Sequence, residues 1–183
     1  MKRRRYSNGF SLIELMIVLV VAVLLQAVVT PSFSGLINTS RVNAGAEAIL
    51  NSLLLARSEA IKRNAKVVVC KSSEGDACAS AGDWHQGWIV FHDDNNNAVV
   101  DIGEVILHRE TGFSSYVRIS GNGPVKNYVS YEPHGKTSLI SGAFQAGTIT
   151  ACVQTARAIP ARQVVIATSG RPRLATTQLD ACP

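Results

Sequence analysis

The sequence predicts an α+β protein: one long N-terminal helix, its first half transmembrane, packed on a globular domain built from an antiparallel β-sheet. Three observations carry this. Residues 15–29 are an almost unbroken apolar run, interrupted only by Gln26. Helical periodicity then continues to about residue 63. After Asn64 the pattern changes to short runs rich in β-branched and aromatic residues, separated by Gly, Asn, Asp, Ser and Pro. One helix followed only by strands is the pattern of an α+β domain. At 183 residues the chain is long enough for one domain with a real core plus an accessory segment.

The first element is the apolar helix. Residues 10–29 supply about 20 mostly apolar positions, enough to span a bilayer. Lys2, Arg3, Arg4 and Arg5 precede it and hold the N-terminus on the cytoplasmic side, so the remainder faces the periplasm. An ordinary secretory signal would carry a small-residue cleavage site after the apolar stretch, and none follows here. Glu14 is the discordant residue. A carboxylate in a membrane helix costs roughly 2.5–3.5 kcal/mol at the bilayer centre and less near the interface, so a function and a partner are expected for it.

Pro31 sits just beyond the apolar run, where a proline inside a helix removes a hydrogen bond and bends the axis. Val42, Ala46, Ile49, Leu50, Leu53, Leu54, Ala60 and Ile61 then follow i, i+3, i+4 spacing and predict an apolar stripe against a core. A helix from Phe10 to Arg63 would be roughly 80 Å long at 1.5 Å per residue. Strands are predicted over residues 66–71, 87–92, 104–109, 116–120, 128–132, 148–153 and 163–168. Trp84, Trp88 and Phe91 read as core packing.

Charge needs correcting before it is interpreted. The net charge of +5 includes four of the 18 basic residues in the segment before the apolar run; without them, 14 basic residues face 13 acidic ones. From Cys70 to Glu110 there are two basic and eight acidic residues, whereas from Arg118 to Pro183 there are seven basic and two acidic. Such asymmetry predicts two faces or ends with different partners.

Cys70, Cys78, Cys152 and Cys182 form no C-x-x-C pair, which argues against zinc and thiol redox chemistry and for two disulfides in an oxidising compartment. Three connectivities exist. Pairs 70–78 and 152–182 are favoured because each brackets one loop-like stretch. His85, His92, His108 and His134 fall in different segments, and no nucleophile-elbow, P-loop or metalloprotease motif is present. No enzymatic activity and no cofactor are expected. Asp93, Asn95, Asn97, Asp101 and Glu104 nearly match a calcium-loop spacing, but Ala98 stands where that loop requires glycine. The competing reading is a polar hairpin loop.

Two stretches carry a family resemblance. Gly9-Phe10-Ser11-Leu12-Ile13-Glu14 followed by the apolar run resembles the class III signal of type IV pilins and type II secretion pseudopilins. By that resemblance residues 1–9 are a leader, prepilin peptidase cuts after Gly9 and methylates Phe10, residues 10–34 are the transmembrane and assembly half of the helix, and residues 35–183 are the periplasmic domain. Glu14 becomes the assembly glutamate that neutralises the N-terminal amine of a neighbouring subunit. Buried opposite charges are far less costly paired than alone. Pilins commonly carry a proline where Pro31 stands, so a kink is expected there and not an end. Residues 56–64, the Cys70 to Cys78 pair and Trp84-x-x-Gly87-Trp88-Ile89-Val90-Phe91-x-Asp93 are similar to the GspH/FimT group of minor pilins and pseudopilins. The implied partners are other pilins in a filament, prepilin peptidase and, before assembly, the inner membrane.

Gly170-Arg171-Pro172-Arg173 lies between Cys152 and Cys182. Arginines at i and i+2 share one side of an extended chain, and two guanidinium groups presented rigidly suit phosphate contacts. The segment resembles the DNA-binding Gly-Arg-x-Arg of FimT-type minor pilins, which take part in DNA uptake during natural transformation. By that resemblance Arg171 and Arg173 carry the binding of double-stranded DNA. So few charges predict binding without sequence preference, and the charge distribution makes Arg157, Arg162, Lys136 and Lys126 accessory candidates from the same basic half. The alternatives are a structural minor pilin of the FimU kind that primes assembly and a GspH-type pseudopilin of type II secretion.

Overall fold

The computed structural model describes residues 10–113, 116–153 and 159–183, with side chains other than those of 26–34, 159 and 160. Helix α1 spans Leu12–Arg63. Eight strands follow: β1 Val67–Lys71, β2 Gly87–His92, β3 Ile106–Thr111, β4 Val117–Gly121, β5 Tyr128–Tyr131, β6 Gly147–Val153, β7 Ile159–Ile166 and β8 Pro172–Leu179. The chain forms two compact units, Met1–Ile37 and Asn38–Pro183, and α1 runs through both.

In the first unit, Ser11 caps α1: its Oγ accepts the Glu14 N–H at 3.3 Å, which satisfies one of the free amides of the first turn. Glu14 itself is exposed in that turn, where a carboxylate complements the positive end of the helix dipole. Leu12, Ile13, Leu15, Met16, Ile17, Leu19, Leu24 and Leu25 are exposed apolar side chains. Among the described residues no helix is long and apolar enough to cross a membrane; the expected spanning segment includes residues 26–34, whose side chains lie outside the described ones. The leader and Gly9 are likewise outside the described residues. The helix continues through Pro31 without ending there.

In the second unit α1 ends because Asn64 adopts a left-handed conformation (φ 52°), with the Ala65 N–H bonded back to the Ala60 carbonyl at 3.3 Å, an asparagine variant of the usual glycine stop. The buried stripe is Val42, Ala46, Ile49, Leu53, Ala56 and Ala60. Leu54 and Ile61, expected on it, are exposed, because steps of four and three from Val42 lead through Ala56 and bypass both. A Cβ at Gly45 would lie 3.0 Å from Ile119 Cδ1, so the missing side chain lets α1 approach β4 closely.

The expected antiparallel sheet is divided into two four-stranded sheets, ordered β3-β2-β1-β5 and β4-β6-β7-β8. The stripe of α1 shares one core with both: Val67, Val69, Trp88, Val90 and Tyr131 from the first, Ile119, Ile149, Ala151, Val164 and Ile166 from the second. The opposite face of the first sheet has its own cluster, Val68, Cys70, Ile89, Phe91 and Ala98. That is why β1 and β2 read as continuous apolar runs instead of alternating ones. Trp84 and Trp88 are fully buried, and their indole N–H groups donate to the Val125 carbonyl at 3.0 Å and Ser52 Oγ at 2.8 Å. Both disulfides have the favoured pairing, Cys70–Cys78 and Cys152–Cys182. Strand β8 was not among the expected elements; its polar Thr-Thr-Gln composition hides it, because it is an edge strand with one face in solvent.

Candidate nucleic-acid interface

The Gly-Arg-Pro-Arg segment is a tight turn leading into the edge strand β8. The Gly170 N–H closes the turn onto the Ala167 carbonyl at 2.9 Å, and Gly170 adopts φ 76°. A Cβ there would overlap the Gly135 carbonyl oxygen and crowd the Lys136 backbone. Glycine is therefore required twice, for conformation and for space. The Gly135 carbonyl also accepts the Arg57 Nε at 3.0 Å. The turn between β7 and β8 is thus braced on the turn after β5, which is in turn tied to α1.

Past Gly170 the backbone alternates. Arg171 is exposed, Pro172 is buried and Arg173 is exposed. Pro172 pairs with Ile166 and Arg173 with Val165. A proline at the first position of an edge strand leaves no ladder hydrogen bond unmade, and its burial turns both guanidinium groups toward solvent. Among the described residues neither arginine side chain has a hydrogen-bond or ion-pair partner.

Of the accessory candidates, Lys136 lies beside the motif, across the Gly135–Gly170 contact. Arg162 does not join it. Its Nε donates to Asn43 Oδ1 at 2.8 Å and its Nη1 to Thr176 Oγ1 at 2.6 Å, on the helix-facing side of β7. The three-residue offset from Val165, the partner of Arg173, puts it on the opposite face. Lys126 lies at the far end of β5, near Lys71 and not near Gly135. Arg157 is outside the described residues.

Beside the motif is an open groove of about 630 Å³, lined among others by His134, Lys136, Phe144, Thr168 and Ser169. The single carboxylate in its lining, Glu132, is held by Lys66 at 3.1 Å and by the Ser138 hydroxyl. Burial raises its pKa, but the Ser138 and Lys66 hydrogen bonds and the Lys66 charge outweigh this and leave the carboxyl below its ordinary value. Phe144 and Ser169 escaped the sequence reading, and His134 was weighed there only as one of four scattered histidines. Only the tertiary structure brings the three to one groove.

The near-calcium loop has a different character. Asp93 is buried and its two oxygens accept the Asn97 and Ala98 N–H groups, each at 3.0 Å. Asp101 Oδ2 accepts both the Asn95 and Asn97 amides at 2.7 Å. Glu104 caps the Asp94 and Asp101 N–H groups at 2.9 and 3.0 Å. Ala98, where the calcium pattern has glycine, adopts φ 56°. Among the described residues no three His, Cys, Asp or Glu side chains converge to hold a metal ion.

A long N-terminal helix seated on antiparallel sheets, with a methylation-type N-terminus, defines the pilin class of filament subunits. Two family profiles match: "Prokaryotic N-terminal methylation motif" over residues 4–29 and "Type II transport protein GspH" over residues 45–170. The chain belongs to the GspH family of type IV minor pilins and pseudopilins, a structural family whose members are anchored by the N-terminal segment and associate in filaments. No curated protein matches the chain. Two crystal structures of the type IV minor pilin FimU from Pseudomonas aeruginosa strain PAO1 share the fold. One has a TM-score of 0.58 at 17% identity, covering 79% of this chain and 97% of FimU. The other has 0.56 at 18%, covering 77% and 99%. The GspH match ends at Gly170, so Arg171, Arg173 and β8 lie beyond it.

Proposed function

We infer that this subunit is a minor pilin that captures double-stranded DNA through Arg171 and Arg173 and contributes to DNA uptake in natural transformation. The observation that carries this reading is the pair of exposed, partnerless guanidinium groups flanking buried Pro172 on a braced turn. Lys136 adds a third charge to the same surface. Binding through so few phosphate contacts is sequence-independent and salt-sensitive. With two to three contacts, affinity falls roughly 10- to 40-fold between 50 and 200 mM salt.

The rest of the reading follows from the resemblance of the N-terminus. The leader is cleaved after Gly9, Phe10 is methylated, residues 10–34 anchor the subunit in the inner membrane with its domain in the periplasm, and Glu14 pairs with a neighbour's amine during assembly. Glu14→Ala leaves membrane insertion intact and reduces incorporation into filaments.

The direct test is a mobility shift of duplex DNA by the full chain in detergent micelles. Arg171→Gln with Arg173→Gln weakens binding about tenfold or more and flattens the salt slope. Wild-type affinity in that variant would overturn the assignment. A second reading, pilus priming without DNA capture, is favoured by the likeness to FimU, and a secretion pseudopilin by the family description. A transformation assay of the double variant in cells with normal pili separates the first from these, and a secretion assay separates the last.

A further inference from the structure

We propose that the groove beside Arg171 holds a single DNA strand, with Phe144 as the platform on which an unpaired base stacks. This deepens the DNA-capture reading and rests on it. Phe144 is 71% exposed, an unusual state for a large aromatic ring on a rigid backbone. The rigidity comes from its neighbour. Gln145 is fully buried, and its side chain accepts the Ser130 N–H at 2.9 Å and donates to the Pro124 and Tyr128 carbonyls at 2.8 and 2.9 Å. The Gln145 N–H donates to the Thr137 carbonyl at 3.2 Å, and its own carbonyl accepts the Thr137 hydroxyl at 2.6 Å. With Gln145 locked inward, Phe144 is forced outward.

The ring lines the same groove as His134, Lys136 and Ser169, and Ser169 is two residues along the chain from the exposed Arg171. A lysine in the groove, an arginine just outside it and one exposed aromatic ring are the elements that bind unpaired nucleic acid: the charges contact phosphates while the ring takes a base face, whichever base it is. The Glu132 carboxylate is neutralised by Lys66. The Asn96 amide reaches the Ile140 carbonyl at 3.5 Å, bringing the acidic 93–104 loop to residue 140, four residues before Phe144. A duplex keeps its bases stacked internally and offers Phe144 nothing in return, so the ring discriminates single strands and frayed ends from intact duplex.

Fluorescence anisotropy with labelled oligothymidine and a duplex of equal length, using the full chain in detergent micelles, tests this. Phe144→Ala weakens oligothymidine binding about fivefold or more and leaves duplex binding within twofold, while Phe144→Tyr retains both. An unchanged oligothymidine affinity in Phe144→Ala, an equal loss on both probes, or no oligothymidine binding by the wild type would overturn the proposal while leaving duplex capture standing. Wild-type failure to bind the duplex, or its indifference to Arg171→Gln with Arg173→Gln, would instead overturn the underlying DNA-capture reading. Phe144→Trp is an independent check: its fluorescence is quenched by oligothymidine and not by the duplex.

Discussion

The 93–104 loop and the 167–173 turn are both polar, both connect antiparallel strands and both present side chains suited to charged ligands, yet their hydrogen-bonding capacity goes to opposite ends. In the acidic loop Asp93, Asp101 and Glu104 accept N–H groups of the loop itself. In the basic turn the backbone is secured by Gly170, Pro172 and the Gly135 carbonyl, and the side chains of Arg171 and Arg173 are left for solvent or a partner. A motif becomes a site only when something other than its functional groups holds its shape.

Substitutions can break this contrast. The largest effect is expected at Asp93. Asp93→Ala leaves the buried Ala98 N–H and the half-buried Asn97 N–H without an acceptor and lowers stability by about 2–3 kcal/mol, while DNA binding by the folded fraction is unchanged; thermal melting and mobility shift together read this out. A melt unchanged by the substitution would show that the acidic loop does not hold itself together as described. Next is Gly170→Ala, which forces a Cβ into the Gly135 carbonyl at a left-handed backbone. A loss of about 2 kcal/mol accompanied by weaker duplex binding is expected, because the arginines lose their platform. Loss of stability with full DNA affinity would separate the brace from the site.

Arg162→Gln sharpens the comparison within the basic half. Its guanidinium is engaged by Asn43 and Thr176, so the variant loses about 1 kcal/mol of stability and keeps its DNA affinity and salt slope. A reduced salt slope would return Arg162 to the interface. The smallest effect concerns acid stability. Glu132 has a folded pKa below its ordinary 4.5, so its contribution is complete above that value and is lost as pH falls through the lowered one. Glu132→Gln, measured by denaturant melts across that acid range, flattens the loss and costs at most about 1 kcal/mol at neutral pH; a profile as steep as the wild type would mean the pair with Lys66 is not formed in solution.

Local information was sufficient for much of the fold. The start of the helical region, the change to strands after Asn64, both disulfide pairs and the burial of Trp84, Trp88 and Phe91 were all readable, because periodicity, turn residues and cysteine spacing act over short distances. Strand β8 was missed because an edge strand with polar outward residues lacks the apolar alternation that marks a half-buried one. The split into two sheets was also illegible, since which strands pair depends on the path of the chain over α1 and not on any strand's composition.

The sequence alone determined the pilin-type N-terminus, the sign of the charge in each half and the spacing of Arg171 and Arg173 around Pro172. Each is a property of covalent neighbours. Tertiary structure alone decided which of these residues lie together: it seated Gly170 on Gly135, gathered Lys136, His134 and Phe144 around one groove, and put Arg162 on the opposite face and Lys126 at the other end of β5. Residues far apart in sequence meet only where backbone packing brings them, and here that meeting depends on a glycine that leaves room for a carbonyl oxygen.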